Sequence, residues 1–320
     1  MSIDIGIIGT GNMGRNHARV CSMIKDLNFI GVCDINEEKA RNISQLFKVE
    51  YFTDYKRMLD KVDAVVIAVQ TVYHYDIARF FLENGVHVLV EKPIASDIYQ
   101  AKELVNTAEK NFLKLAVGHI ERFNSAYRIL KNATRNENIF AVEINRMSPW
   151  DDRVTDIDVV MDLMIHDIDL ITDLIGCNIS TVHNSGRKIK NASGFFDYYT
   201  SILEFENKVI GKLTASRVTE QKIREIKVTA EKKYFEADLL RKELNIYSRT
   251  RFENLEDSKC LYKQENNIEK VNIPYNEPLY DEICDFRNSI LNDTKPLVSG
   301  EDGLRALTNI ISIMSENIKE

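Results

Sequence analysis

Ile5-Gly6-Ile7-Ile8-Gly9-Thr10-Gly11-Asn12-Met13-Gly14 sets three glycines where an apolar run gives way to helix-compatible sequence. Gly9 suits a tight turn, Gly11 lets backbone approach a pyrophosphate, and Gly14 lets the new helix pack closely on its strand. The N–H groups at such a helix start form a ready anion site. The same spacing would also serve a plain turn in an unrelated α/β protein, so the context matters. Phe29-Ile30-Gly31-Val32-Cys33-Asp34 reads as a second strand ending on an acid, about twenty residues beyond the last glycine. A carboxylate at Asp34 accepts hydrogen bonds from a ribose diol and repels a 2′-phosphate. The expected cofactor is therefore NAD, with NADP disfavoured.

Outward from this turn, short apolar runs alternate with helix-patterned stretches. Strands are expected at 3–8, 29–33, 64–68, 86–90 and 113–117, and helices at 13–25, 37–46, 75–84 and 97–110. Strands apolar on both faces, alternating with helices, predict an α/β fold with a doubly wound parallel sheet, the Rossmann arrangement, over residues 1–118. Ligands of such a sheet sit beyond the carboxyl ends of its strands, where Asp34, Gln70–His74, Glu91, Lys92, Gly118 and His119 all fall. Residues 119–320 read differently. Strands at 140–146, 198–206, 208–216, 225–231 and 234–238, with another at 244–248, have few helices between them. They predict an α+β domain with a large, mostly antiparallel sheet open on one face. Exposed sheet faces are commonly covered by another subunit, so a homodimer or homotetramer is expected. Residues 254–272 are polar and read as a loop or weak hairpin; 278–292 and 300–317 read as closing helices.

Composition removes several classes of function. The net charge of −7 argues against nucleic-acid or membrane-surface partners, and no apolar run approaches the length of a membrane span. Strand-like sequence begins at Ile3, so no signal peptide is expected. Five scattered cysteines, Cys21, Cys33, Cys177, Cys260 and Cys284, form no CxxC pair. They suit a reducing cytoplasm and give neither a zinc site nor a disulfide framework.

Two constellations carry chemistry. Glu91-Lys92-Pro93 follows the fourth apolar strand directly. Pro93 biases Lys92 toward extended backbone, so the lysine projects from a strand end into the cofactor cleft. There it can hydrogen-bond a substrate hydroxyl and stabilise charge developing on oxygen. The bland alternative is a solvated strand-end lysine. The second constellation is the apolar segment 158–173, in which Asp158, Asp162, His166, Asp169 and Asp173 recur at steps of three and four. On a helix these form one narrow polar stripe, as expected of a buried helix facing a cleft. Desolvation there favours a neutral imidazole and a carboxylate one turn away opposes it, a balance suited to proton exchange. His166 is thus the candidate general base or acid and Asp162 its carboxylate neighbour; a satisfied core histidine and a metal site are the alternatives. Hydride transfer needs no metal, and none is expected. Asp173 reads as solvated. His74, after the third strand, lies within reach of a dinucleotide, whereas His17, His87 and His183 read as structural or surface residues.

These residues together resemble the glucose–fructose oxidoreductase and inositol dehydrogenase family (Gfo/Idh/MocA), over essentially the whole chain. The likeness rests on Gly9-Thr10-Gly11-Asn12-Met13-Gly14, on Glu91-Lys92-Pro93, and on Asp162 with His166 in Asp-Leu-Met-Ile-His-Asp-Ile-Asp. It implies NAD(P)-dependent oxidation or reduction of a sugar, polyol or related hydroxyl. Carried over, Lys92 orients the reacting oxygen, His166 exchanges the hydroxyl proton, and Asp162 binds substrate or orients His166. Gly9, Gly11, Asn12, Met13, Gly14, Asp34, Thr71, His74, Glu91 and Lys92 line the cofactor, with Glu91 near the nicotinamide ribose. The segment from Gly118 to Asn124 resembles that of the family's sugar-nucleotide dehydrogenases, such as UDP-N-acetylglucosamine 3-dehydrogenases. It makes Arg122, Asn124 and Arg153 candidate substrate contacts. Val72, Ser125 and Lys232-Lys233 depart from the family pattern. Relatives that retain NAD to cleave glycosidic bonds, and non-catalytic dinucleotide sensors of the same fold, are the alternative functions.

Overall fold

The structure is a computed structural model and describes residues 2–150, 158–189, 194–254 and 261–315. In chain order the elements begin with β1 (Ile3–Ile8), α1 (Asn12–Cys21), β2 (Leu27–Cys33), α2 (Glu37–Phe47), β3 (Glu50–Phe52) and β4 (Ala64–Ile67). They continue with α3 (His74–Glu83), β5 (His87–Glu91), α4 (Ile98–Lys110), β6 (Leu115–Gly118) and α5 (Ser125–Thr134). The middle of the chain forms β7 (Ile139–Met147), a π-helical turn at Val160–Met164, α6 (Ile165–Ile175), β8 (Ile179–Arg187), β9 (Tyr198–Phe205) and β10 (Ile210–Ser216). It closes with β11 (Ile223–Ala230), β12 (Lys233–Asp238), β13 (Glu243–Asn254), β14 (Leu261–Val271), α7 (Pro278–Leu291) and α8 (Gly300–Ser315).

Two compact units result, one formed by Met1–Phe123 with Glu277–Thr308 and the other by Asn124–Asn276 with Asn309–Glu320. The first contains a six-stranded sheet of order β3-β2-β1-β4-β5-β6, parallel throughout. Strands β1, β4, β5 and β6 are buried on both faces, which is why they read as unbroken apolar runs. Ile3, Ile5 and Ile7 of β1 pack with Ala18 and Val20 of α1 and with Ile283 and Phe286 of α7. Helix starts are fixed by side-chain caps: Asn36 accepts from the Lys39 N–H, and Asp97 from the Gln100 N–H. The short strand β3 and the early end of α1 at Cys21 differ from the sequence expectation. β3 has only three residues, too few to show a period, and Ser22 and Met23 close α1 by bonding back to Ala18 and Val20.

The second unit carries an eight-stranded sheet of order β14-β13-β12-β11-β7-β10-β9-β8, antiparallel except for the β7–β10 pair. Along β9 and β10 one face is buried while Ile202, Ile210 and Lys212 point outward. Helix α6 lies on the buried face. Arg146 of β7 donates to Asp167, Ser201 of β9 to the Met164 sulfur, and Gly211 of β10 leaves space for Ile171. A Cβ on Gly211 would stand 2.8 Å from the Ile171 Cδ1. Strands β8 and β14 and helix α5 were not anticipated. The polar stretch expected as a loop or weak hairpin supplies β14, paired along its whole length to β13, which extends past the expected strand. Edge strands are often polar for this reason, because charge on an edge deters unwanted pairing.

Candidate active site

In the first unit the carboxyl ends of the parallel strands carry the glycine turn. Gly9 has φ +92°, and a Cβ there would stand 2.4 Å from the Ala68 carbonyl oxygen. A Cβ on Gly14 would stand 1.9 Å from the Gly9 oxygen, whereas one on Gly11 would meet nothing within 4 Å. Asn12 and Met13 form, with Gly14, the first turn of α1, which contains no acidic residue. An anion can therefore approach that helix start without competition. Asp34 ends the second strand's turn: one carboxylate oxygen accepts the Thr10 N–H at 2.8 Å and the Thr10 hydroxyl at 2.7 Å, the other the Asn36 N–H at 2.9 Å. Burial alone would push this carboxyl up, but the bonds from Asn36 and Thr10 outweigh it and hold it below the usual range. A carboxylate offers roughly four lone-pair directions, so capacity remains for a hydroxyl. The turn, the helix start and Asp34 fit a dinucleotide.

Lys92 and Pro93 follow β5 through a cis peptide bond. His74, only 1% exposed, places Nδ1 2.8 Å from the Pro93 oxygen and Nε2 3.1 Å from the Val69 oxygen. Burial pushes its pKa below the ordinary value against these two carbonyls. Thr71 opens the short turn between β4 and α3. The Glu91 carboxylate turns inward: Oε1 lies 2.8 Å from His17 Nε2 and Oε2 accepts the Lys92 N–H at 3.3 Å. Arg122 is buried 3.6 Å from Asp302 of α8.

In the second unit the carboxyl ends of the parallel pair β7 and β10 frame another constellation. The Ser148 N–H donates to the Ser216 oxygen, and the Arg217 N–H to the Asp197 oxygen. Asp158 fixes the entry to the helix, accepting from the Val160 N–H at 2.8 Å and the Phe196 N–H at 3.0 Å. Asp162 sits within the π turn, an irregularity frequent at functional sites, and its carboxylate lies 3.8 Å from the buried Arg217 guanidinium. His166 is half-buried at the start of α6, just before Asp167, whose buried bond to Arg146 pins the helix to β7. Among the described residues no three His, Cys, Asp or Glu side chains cluster as metal ligands.

Family models match the chain on both sides of this division. Residues 3–119 match the oxidoreductase family NAD-binding Rossmann fold and residues 129–316 its C-terminal alpha/beta domain. The chain belongs to the Gfo/Idh/MocA oxidoreductase family. Like its family, it is an NAD(P)-dependent oxidoreductase. A UDP-N-acetylglucosamine 3-dehydrogenase from Acidithiobacillus ferrooxidans is 31% identical over 313 residues, 96% of this chain and 95% of that protein. A solved structure of that dehydrogenase superposes with a TM-score of 0.89 at 30% identity, covering 98% of this chain and 97% of the other. Scyllo-inositol dehydrogenase from Lactobacillus casei, solved with NAD(H) and scyllo-inositol, shares the fold at 21% identity and a TM-score of 0.80, covering 98% of this chain and 96% of its own.

Within this Gfo/Idh/MocA chain the glycine turn, Asp34, Thr71, His74, Glu91, Lys92 and Arg122 stand on the first unit, and Asn124, Asp162 and His166 on the second. Arg153 lies outside the described residues. Asn124 caps α5, accepting from the Ala126 N–H and donating to the Leu239 oxygen. The expected single polar stripe is not one stripe. The π turn shifts the helical phase after Asp162, Asp158 is a cap, and Asp169 is buried. Asp173 is not solvated either: Lys131 Nζ lies 2.7 Å from both of its oxygens and the Tyr127 hydroxyl donates to it. Sequence reasoning left the Arg217–Asp162 pair and the His17–Glu91 pair unassigned. His17 carried a signal, since it lies three residues past Gly14 on the helix face turned to the sheet.

Proposed function

We propose that this oxidoreductase uses NAD to oxidise a ring hydroxyl of a nucleotide sugar, with UDP-N-acetylhexosamines as the substrate class. The observation that carries the reading is Asp162, set in a π turn one step before His166 and held against Arg217. The A. ferrooxidans relative supports the nucleotide-sugar class, and Asp34 supports NAD over NADP. When bound, the nicotinamide supplies the hydride acceptor. His166 takes the hydroxyl proton on an imidazole nitrogen as the C–H bond breaks. Lys92 Nζ donates to the same oxygen and stabilises the charge that develops on it. Asp162, set beside Arg217, holds a neighbouring sugar hydroxyl or the imidazole itself. Arg122 and Asn124 shape the substrate side by fixing the segment between β6 and α5, and Arg153 adds a further cation. Oligomerisation through the open face of the second sheet, where Ile202 and Ile210 are exposed, completes the reading. The free thiols Cys21, Cys33, Cys177 and Cys284 suit a reducing cytoplasm, and no helix among the described residues is long and apolar enough to cross a membrane.

The test follows NADH formation at 340 nm with NAD or NADP against UDP-sugars, free sugars and polyols. Turnover with NAD and a UDP-N-acetylhexosamine, reduced about 10²–10⁴-fold in folded Lys92→Ala and His166→Ala, is the expected outcome. Turnover only with a free polyol, or sugar release without net NADH, would overturn it.

A further inference from the structure

Two ionisable side chains of the first unit pair beside the Lys92 turn, His17 of α1 and Glu91 at the end of β5, and Glu282 of α7 is buried near enough to feel the Glu91 charge. His17 is fully buried, Glu91 9% exposed and Glu282 3% exposed. A buried ion pair is weak as a source of stability, since well-packed apolar residues of similar volume do as well or better. A His–Glu pair buried in the first unit therefore calls for another role. Its placement supplies one. The Glu91 carboxylate bridges the helix that starts at the glycine turn and the peptide N–H of Lys92 itself, at 2.8 Å and 3.3 Å. On the other side of the turn, His74 holds the Pro93 oxygen. The lysine is clamped from before and behind by buried imidazoles.

The backbone makes room for this carboxylate at one point. Gly118 pairs with Glu91 across β5 and β6, and a Cβ on it would stand 2.9 Å from Glu91 Oε2 and 3.1 Å from its Cδ. Any larger residue at 118 displaces the carboxylate. Each oxygen of the Glu91 carboxylate is thus engaged within the first unit, one by His17 and the other by the Lys92 N–H.

We propose that His17 is a positioning residue for Lys92, acting through the Glu91 carboxylate that Gly118 admits. Helix α1, whose start receives the dinucleotide, is thereby mechanically joined to the lysine that polarises the reacting oxygen. The inference rests on the reading of Lys92 given above.

The experiment compares wild type with His17→Met, His17→Gln, Gly118→Ala and the His17→Met/Gly118→Ala double variant. Gln offers an amide N–H where the imidazole Nε2 stands; Met offers none. One readout is independent of turnover: the rate at which Lys92 is acylated by an amine-reactive ester at fixed pH, followed by peptide mass spectrometry. The other is steady-state kinetics beside NAD affinity measured by calorimetry. Misplacement of a catalytic group by about 1 Å costs on the order of 10²-fold. His17→Met and Gly118→Ala should each change Lys92 labelling several-fold and lower kcat by about ten- to a hundredfold, with NAD affinity retained. His17→Gln should restore both, and the double variant should add nothing to either single one, because both disturb the same carboxylate. Unchanged Lys92 labelling in folded His17→Met, equal damage in His17→Gln, or additive effects in the double variant would overturn the proposal. Should His17→Met fail to fold, Gly118→Ala against His17→Gln decides it alone. Altered labelling in an enzyme that turns over no sugar would instead leave this linkage standing and remove the assigned activity.

Discussion

Gly9 and Gly14 approach so closely that a methyl group on Gly14 would sit 1.9 Å from the Gly9 carbonyl oxygen, while the same group on Gly11 would touch nothing within 4 Å. The three glycines of one motif therefore do different physical work, and substitution separates them. Gly14→Ala forces the turn and α1 apart and should destabilise the protein by about 1–3 kcal/mol or more. Gly11 has φ −66°, which alanine adopts freely, so Gly11→Ala should fold with a loss within about 1 kcal/mol. Its methyl occupies the space a pyrophosphate needs, and NAD affinity should fall about tenfold or more. Thermal unfolding and isothermal titration with NAD read the two effects separately. Normal NAD binding by Gly11→Ala would show that the dinucleotide does not lie over this turn.

Asp34 fixes the glycine turn and, on the function proposed above, faces the cofactor ribose. Its bonds from Thr10 and Asn36 hold it ionised, so it presents a negative charge where a 2′-phosphate would lie. Asp34→Asn keeps the shape and removes the charge. The ratio of kcat/KM for NAD over NADP should fall about tenfold or more, through a gain with NADP as well as a loss with NAD. An unchanged ratio would mean that cofactor choice is set elsewhere.

Arg217 is 4% exposed and faces Asp162 from the end of β10. Removing it frees the Asp162 side chain from a fixed direction and takes a buried cation from the second unit. Arg217→Met should lower kcat by about tenfold, while NAD affinity, a property of the other unit, stays unchanged. Stopped-flow and steady-state rates on the accepted sugar, beside NAD titration, measure this. A kcat equal to wild type would make the pair structural only.

What could be read from the sequence was whatever repeats locally. The five long strands of the first sheet and their helices appear as unbroken apolar runs and helical periods, and the glycine turn with Asp34 is a short-range pattern. The three-residue β3 is too short to show a period, and β14, the edge strand of a hairpin with β13, is polar on both faces. The same limit applies to the site. Lys92 and His166 were legible as residues, but the pairing of Asp162 with Arg217 joins positions 55 apart by subtraction of their numbers. That of His17 with Glu91 spans 74 residues. The π turn at Val160–Met164 is invisible to a period of 3.6, which is why five polar positions read as one stripe. Helix α7 carries a plain amphipathic pattern that does not say which sheet it covers; it packs on α1 in the first unit.

That same helix brings Glu282 into the interior, with neither carboxyl oxygen hydrogen-bonded. Burial pushes this carboxyl well above its ordinary value, and the charges of Glu91 and Asp285 push the same way. Glu91 moves oppositely: burial would raise it, but the bond and charge of His17, with Lys92, hold it below the usual range. The signs give distinct windows. Glu91 contributes stability above the unfolded carboxylate value of about 4.3, lost only as pH falls below it. Glu282 keeps its proton in the folded protein while the unfolded chain releases it, so the unfolded state binds fewer protons and stability falls as pH rises. The slope is up to about 1.4 kcal/mol per pH unit between the ordinary value and the raised one. Glu282→Gln replaces the acid by a neutral isostere and removes that slope without needing to match wild type at any single pH. Urea unfolding from about pH 5 to about pH 8 should show the variant gaining on wild type steadily as pH rises. Parallel stability curves across that range would mean that Glu282 is ionised in the folded state, with a partner for its charge.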